Sequence, residues 1–153
     1  MNHPDPQSLE QQAAVELAKV LPEAARLTAK DRLKIPAQPM PSQDPAVRRR
    51  NIDEVAAGYG PAQARLESLR CLQCRNAPCV AGCPVRIEIP AFVKAIAEDD
   101  LQKSIGIIKQ NSLLPSVCGR VCPQEVQCQE NCTVGRSLKD VGKAVMIGRL
   151  ERF

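Results

Sequence analysis

Apolar residues recur along this chain at helical spacing, and no two stretches alternate convincingly between apolar and polar positions as paired strands would. In residues 7–28 they fall three or four positions apart and predict an amphipathic helical region. Pro22 interrupts this region and predicts a kink or a second helix start, because proline removes a helical hydrogen bond. The pattern therefore favours an all-α fold of short helices.

A proline-rich segment at residues 35–41 follows the first helical region. Its prolines predict an extended, polyproline-like connector, which we interpret as a spacer rather than as a recognition motif. The composition changes nearby, because residues 1–43 contain no Gly, Cys or aromatic residue. We therefore predict an N-terminal helical tail with a Pro-rich linker over residues 1–43, and a separate domain over residues 44–153.

Proline, glycine and capping residues predict the helix boundaries of this second domain. Asp44-Pro45 is typical of an N-cap followed by proline at the first helical position, and predicts a helix through Ala57 that stops at Gly58. Gly60-Pro61 restarts the chain and predicts a short helix over residues 62–70. Three more helices are predicted to start at Ile89-Pro90, after Asp99 or Asp100, and at the capping-box-like residues 137–140.

The second domain contains all eight cysteines of the chain, in two blocks. The blocks are Cys71-x2-Cys74-x4-Cys79-x3-Cys83-Pro84 and Cys118-x3-Cys122-Pro123-x4-Cys128-x3-Cys132. The chain has only one Tyr, two Phe and no Trp, although large rings normally supply much of the buried area of a core. The centre of the domain must therefore be filled by aliphatic side chains or by a group that is not protein.

The first block has the spacing of an iron–sulfur protein. In bacterial ferredoxins three close cysteines hold one cluster, and a fourth, followed by Pro, ligates another. By that rule Cys71, Cys74 and Cys79 hold one 4Fe–4S cluster with a fourth ligand from the second block, and Cys83 crosses to a second cluster. Zinc is a weaker interpretation because only one Cys-x2-Cys knuckle exists, and disulfides would need an oxidising compartment.

Charge and terminal composition argue against several other classes of protein. The first 43 residues carry equal numbers of basic and acidic side chains, so the net charge of +4 lies wholly in the cysteine-bearing part. A nucleic-acid binder would show stacking aromatic residues or a longer basic run than residues 48–50. No apolar run could span a membrane, and the start has no secretory signal. We therefore expect a cytoplasmic protein, in which the lone His3 is inert.

Two stretches of sequence closely resemble one known family. RCLQCRNAPCVAGCP at residues 70–84 and CGRVCPQ at residues 118–124 are similar to the N-terminal iron–sulfur domain of the glutamate synthase small (beta) chain. That domain is shared with dihydropyrimidine dehydrogenase and with the large subunit of the bifurcating ferredoxin:NADP transhydrogenase. Residues 35–41 and 51–55 resemble it as well. The resemblance implies an alpha-helical ferredoxin fold around two 4Fe–4S clusters.

The resemblance also implies which residues hold the clusters. The implied ligands of the first cluster are Cys71, Cys74, Cys79 and Cys132. The implied cysteine ligands of the second cluster are Cys83, Cys122 and Cys128. Its remaining ligand is Gln or Glu in relatives and falls on Glu151. Spacing alone would give this place to Cys118. We prefer Glu151, because carboxylate ligation of iron is chemically reasonable, and this choice leaves Cys118 without a metal.

From this resemblance we expect an electron-transfer module of a glutamate synthase small-chain-like oxidoreductase. It would pass electrons between an NADPH-reduced flavin and the redox centre of a partner, such as the glutamate synthase large chain. The FAD- and NAD(P)H-binding reductase domains, expected after residue 153, are absent from this sequence, so no complete active site is expected. The alternatives are the same module in a bifurcating transhydrogenase or a dihydropyrimidine dehydrogenase-like enzyme, and a zinc-stabilised interaction domain.

Several arginines stand within a few residues of the predicted ligands. They are Arg70, Arg75, Arg86, Arg120 and Arg136. They either raise the cluster potentials and steer an acidic partner, or form an ordinary solvated surface. The sequence leaves both interpretations open.

Overall fold

Ten α-helices make up the fold of residues 5–153, the part of the chain that the computed structural model describes. They are α1 (Pro6–Val20), α2 (Ala29–Lys34), α3 (Pro45–Arg48), α4 (Pro61–Leu69), α5 (Pro78–Ala81), α6 (Ile89–Ala97), α7 (Leu101–Lys109), α8 (Pro115–Val121), α9 (Thr133–Leu138) and α10 (Ile147–Arg152). Within these residues the only β-pairing outside helices is an isolated bridge between Ser42 and Ala56. The predicted all-α class is confirmed.

Proline and aspartate begin many of the helices where the sequence predicted. The Asp44 carboxylate accepts a hydrogen bond from the Ala46 N–H at 2.7 Å, with Pro45 in the first helical position of α3. At α7 it is Asp100 that caps the helix, accepting from the Lys103 N–H at 3.0 Å. Pro22 lies at the start of a 3₁₀ turn, Leu21–Arg26, which ends α1. These starts depend on local hydrogen bonds, and the sequence therefore specifies them directly.

The helix predicted from Asp44 to Ala57 is much shorter in the structure. The α3 helix ends at Arg48, and the chain then runs back beside the proline-rich segment. Gln43 donates its N–H to the Val55 carbonyl at 2.8 Å, and Ala57 donates to the Pro41 carbonyl at 2.8 Å. The backbone groups that a longer helix would use are thus taken by a distant segment.

The helix predicted to start at residues 137–140 does not form there. The α9 helix ends at Leu138, Lys139 follows it with a left-handed φ of 54°, and Asp140 then caps a 3₁₀ turn, Val141–Lys143. The next residues bond to the end of α4. Arg70 donates to the carbonyls of Lys143 and Ala144, and the Met146 N–H donates to the Glu67 carboxylate.

The proline-rich segment at residues 35–41 is packed against α4, so its interpretation as a spacer is wrong. The buried Gln38 donates its N–H to the Glu67 carboxylate at 2.8 Å and accepts from the Tyr59 hydroxyl at 2.7 Å. Arg70 donates to the Ile35 carbonyl at 3.1 Å. The domain boundary at residue 43 stays a prediction. Residues 35 and 38 on one side of it bond to Arg70 and Glu67 on the other.

Helix α1 packs on α4 as well. Its buried stripe consists of Leu9, Ala13 and Leu17, and the last two meet Leu66 and Leu69 in a small apolar cluster. A larger core surrounds Phe92 and Val93 of α6 and includes several of the cysteines. None of the helices in residues 5–153 is long and apolar enough to cross a membrane. His3 and the start of the chain lie outside the described residues.

Candidate metal centre

Four cysteines line one cavity between α4, α5, α6 and α9. They are Cys71, Cys74, Cys79 and Cys132, and we call them the first set. The cavity has a volume of about 350 Å³ including its mouth. Its other walls are almost entirely apolar and include Ile89, Val134, Val145 and Ile147. The structure thus brings together the four residues predicted to hold the first cluster.

The loop between α4 and α5 carries Cys71 and Cys74 to the cavity, and α5 itself carries Cys79. Cys71 directly follows the end of α4, and Gln73 turns the chain with a left-handed φ of 52°. The Gln73 side chain anchors the loop to α6 by donating to the Pro90 carbonyl at 3.0 Å. Across the cavity, the Sγ atom of Cys74 lies 3.2 Å from the Thr133 hydroxyl, next to Cys132. The two cysteine blocks therefore meet at this point.

Burial and the crowding of thiols disfavour ionisation of Cys71 and Cys79 in this cavity. Burial raises the pKa of the Cys71 thiol to about 11 and that of Cys79 to about 12. Negative charge on the neighbouring thiols, including Cys132 and Cys74, raises both pKa values further. The cation of Arg32 has the opposite, smaller effect on Cys71. Four thiolates can coexist here only around a positively charged centre.

A second group of five side chains interacts electrostatically around Cys122 and Cys128. It consists of Cys83, Cys118, Cys122, Cys128 and Glu151, and we call it the second set. Burial raises the pKa of Cys122, and Cys118, Glu151 and Cys83 raise it further by their negative charge. Burial also raises the pKa of Cys128 to about 12, with smaller contributions from Cys83 and Glu151. These groups are therefore close enough to interact electrostatically.

Two glycines allow the second set to assemble. A Cβ atom on Gly82 would lie 2.7 Å from the Gln127 carbonyl oxygen, so a side chain there would push Cys83 away from the second block. A Cβ on Gly119 would lie 2.7 Å from the Arg152 nitrogen and 2.8 Å from the Gly148 carbonyl oxygen. Helices α8 and α10 thus cross in backbone contact, which places Glu151 beside the cysteines.

Glu151 has a buried carboxylate oxygen that could bind a metal. It is half-buried, and burial raises the pKa of its carboxyl to about 7. Its Oε1 atom is buried and has no hydrogen-bond partner among the described residues. A buried acceptor without a partner is costly, and a bound cation would remove this cost. Cys118 lies in the same set, where its Sγ atom is 3.8 Å from the Ser112 hydroxyl.

The geometry of both sets differs from that of a single-ion site. Residues 5–153 contain no group of three or more His, Cys, Asp or Glu side chains arranged to hold one metal ion. Tetrahedral zinc draws four ligands to about 2.3 Å from one point. In a 4Fe–4S cluster each ligand binds a different iron, so the ligands stand farther apart. The first set, four thiols taken from both blocks, has the type and number of donors that a 4Fe–4S cluster binds.

Comparison with known proteins identifies the family. Residues 48–153 match the family described as dihydropyrimidine dehydrogenase domain II, 4Fe-4S cluster. The chain belongs to this family. It is therefore an iron–sulfur domain of the kind found in glutamate synthase small chains and dihydropyrimidine dehydrogenase-like oxidoreductases, as its cysteine motifs predicted.

The curated relatives of this iron–sulfur domain are much longer proteins. The NAD-dependent dihydropyrimidine dehydrogenase subunit PreT of Salmonella typhimurium is 38% identical over 102 residues, which are 67% of this chain and 24% of the relative. The glutamate synthase (NADPH) small chain of Azospirillum brasilense is 34% identical over 118 residues, 76% of this chain and 24% of the relative. The glutamate synthase (NADPH) small chain of Escherichia coli K12 is 35% identical over 113 residues, which are 74% of this chain and 23% of the relative. The chain thus spans about a quarter of their length.

The arginines of this iron–sulfur domain differ from one another in ways that their positions in the sequence do not reveal. Arg70 is 1% exposed and forms an ion pair with Glu67, which is 0% exposed, so it is neither a solvated residue nor a free cation. Arg120 binds Glu54 through two nitrogens, and Arg152 shares that carboxylate. Sequence reasoning missed Glu67, because no local pattern marks a buried acid.

Proposed function

We propose that this domain carries electrons through two 4Fe–4S clusters, as part of a glutamate synthase small-chain-like oxidoreductase. When bound, the clusters would accept and release single electrons. The observation that supports this most is the division of the ligand candidates into two groups, each of which takes residues from both cysteine blocks. The role of the chain is to hold the two groups at a fixed separation and to shield the first from water.

The proposed ligands follow from the two sets. In the first set they are Cys71, Cys74, Cys79 and Cys132. In the second set they are Cys83, Cys122, Cys128 and Glu151, and Cys118 remains a free thiol. The unpartnered Oε1 atom supports the choice of Glu151, because a thiol such as Cys118 tolerates burial without a partner far better than a carboxylate does.

The remaining parts of the electron path are proposals drawn from the resemblance. An NADPH-reduced flavin in FAD- and NAD(P)H-binding domains of the same full-length protein would supply the electrons. A redox centre in a partner, such as the glutamate synthase large chain, would receive them. The PreT relative at 38% identity supports a second candidate, the same domain in a dihydropyrimidine dehydrogenase-like enzyme. Assays of the full-length protein with 2-oxoglutarate plus glutamine, or with a pyrimidine, separate the two candidates.

Metal analysis after anaerobic purification tests the proposal. We expect about eight irons and eight acid-labile sulfides per chain, as two 4Fe–4S clusters require, and an EPR signal of interacting clusters after reduction. About half of that iron would mean a single cluster and would contradict the two-set assignment. A colourless protein with stoichiometric zinc would instead support an interaction domain.

The eighth ligand is tested by two matched substitutions. Glu151→Ala should change the EPR spectrum and midpoint potential of one cluster only, because it removes an oxygen ligand that keeps that cluster electron-rich. Cys118→Ala should leave both clusters and the iron content unchanged. If Cys118→Ala removes iron and Glu151→Ala does not, the roles of these two residues are the reverse of those proposed.

A further inference from the structure

Helix α4 is capped at its N-terminal end by a residue from α1. The helix begins at Gly60-Pro61, where no side chain of its own caps the first turn. Glu10 fills this place and accepts hydrogen bonds from the N–H groups of Ala62 at 2.7 Å and Gln63 at 3.1 Å. A negative charge at this end of a helix is stabilising, because the free N–H groups and the helix dipole are positive there.

The C-terminal end of α4 is capped by Arg32 from α2. Its Nη1 atom donates to the Leu69 carbonyl at 2.7 Å and to the Cys71 carbonyl at 3.2 Å. A positive charge is the stabilising one at this end. Helix α2 is itself fixed by a capping box between Thr28 and Asp31, so the direction in which Arg32 leaves the helix is defined.

The two caps differ in their distance from the cysteines. Glu10 contacts only the start of α4, whereas Arg32 contacts the backbone of Cys71, the first predicted ligand. Arg32 is also half-buried, so its charge is screened less than that of an exposed residue. The neighbouring carboxylate, Asp31, pairs with Lys34 instead, and no ion pair of Arg32 occurs within the described residues.

We infer that Arg32 is a positioning residue for the first cluster, fixing the backbone of Cys71 and raising the reduction potential of the cluster held there. The inference rests on the proposed function and adds to it a residue outside the family match, which begins at residue 48. Each electron accepted makes an iron–sulfur cluster more negative, and a nearby cation therefore favours the reduced form. Arg70, although adjacent to Cys71 in sequence, lacks this role because Glu67 neutralises it.

An EPR-monitored redox titration of variants tests this inference. Arg32→Met removes one cap of α4, and Glu10→Gln weakens the other by removing its charge and one acceptor oxygen, so both should lower the midpoint of urea unfolding. Only Arg32→Met should lower the potential of a cluster, and only of the cluster that Glu151→Ala leaves unchanged. Arg32→Lys, which keeps the charge but not the planar fork, should recover most of the potential.

Iron release gives a second readout. Outer contacts to metal ligands typically change metal affinity about 10-fold to 100-fold. Arg32→Met should therefore lose the iron of the first cluster, which is half of the total, to a chelator about 10-fold faster than the wild-type chain does. Glu10→Gln should lose this iron at nearly the wild-type rate. Arg26→Met, which removes an exposed arginine of the preceding 3₁₀ turn, controls for the loss of a positive charge at the surface.

The possible failures are distinguishable. If the wild-type chain loads two clusters but Arg32→Met changes stability alone, as Glu10→Gln does, Arg32 is only a helix cap and the inference is wrong. If both potentials move together, the effect is a general loosening, which also overturns it. If the wild-type chain binds no iron, the proposed function fails first, and the inference fails with it.

Discussion

The two cysteine sets are positioned by different means. The first set surrounds an apolar cavity at the end of α4, and buried charges tie its backbone in place: Glu67 and Arg70 bond to residues 35–38 and 143–146. The second set depends on the contact of α8 with α10, where glycine allows two backbones to touch. The first site is thus held by polar bonds from several segments, whereas the second depends on close backbone approaches at Gly82 and Gly119.

This difference predicts that damage will stay local. A change in the buried charges should loosen the first set without altering the second, and a change at the helix crossing should do the reverse. Interactions more than about 7–10 Å apart with no shared partners usually act independently.

Removal of iron should have the largest effect. We expect the iron-free chain to be largely molten between Cys71 and Cys132, because metal binding supplies folding free energy where thiols replace apolar side chains in the core. Amide hydrogen exchange should show protection lost over residues 71–83 and 115–132. It should remain in α1 and α4, which bury apolar side chains against each other. Unchanged protection over both cysteine blocks would contradict this prediction.

Glu67→Gln should have the next largest effect. It leaves Arg70 as an unpaired buried cation, and such changes cost about 3–5 kcal/mol of unfolding free energy. Urea unfolding of the iron-loaded protein measures this cost, and EPR should show a change only in the first cluster. The exposed pair of Glu16 and Lys19 supplies the control: Glu16→Gln should cost less than about 1 kcal/mol. If Glu67→Gln unfolds the chain, the double variant with Arg70→Met should partly recover it.

Gly119→Ala should have a smaller effect, confined to the second set. Its Cβ would meet backbone atoms of Arg152 and Gly148, and overpacking of this kind costs about 1–3 kcal/mol. The EPR spectrum of the second cluster should change because Glu151 shifts with α10. Gly106 of α7 is the matched control, since a Cβ there meets nothing within 4 Å. Gly106→Ala should stabilise the helix by about 0.5–1 kcal/mol; equal losses in both variants would rule out the crossing as the cause.

Local rules predicted the helix starts of this protein well and some of its helix ends poorly. Asp44 and Asp100 act through bonds to residues two or three positions away, and Pro61 acts through its own fixed φ, so a sequence displays all three directly. After the end of α3 the chain bonds to a distant segment, where Ala57 donates to the Pro41 carbonyl, and the chain beyond α9 is held by Arg70. Nothing in the sequence near residues 48 or 138 marks those partners.

The candidate site shows the same limit. Cysteine spacing and the family resemblance predicted which thiols would lie together. In the structure Cys132 lines the same cavity as Cys71, Cys74 and Cys79. That these residues bind iron stays a prediction. The contacts of Arg32 and Glu67 with the site could not be predicted, because each joins positions tens of residues apart. Their side chains would be ordinary surface residues on an isolated helix.

The meeting of the two blocks across the first cavity also constrains the order of biosynthesis. Cys74 and Thr133 lie 3.2 Å apart in space but 59 residues apart along the chain. At roughly 5–20 residues per second, a ribosome needs about 3–12 s to make the intervening stretch. Throughout that time the first three thiols of the cavity are already synthesised and have no fourth partner. Insertion of the proposed clusters must therefore wait until nearly the whole domain has emerged, and a cell that makes it must keep the nascent thiols reduced in the meantime.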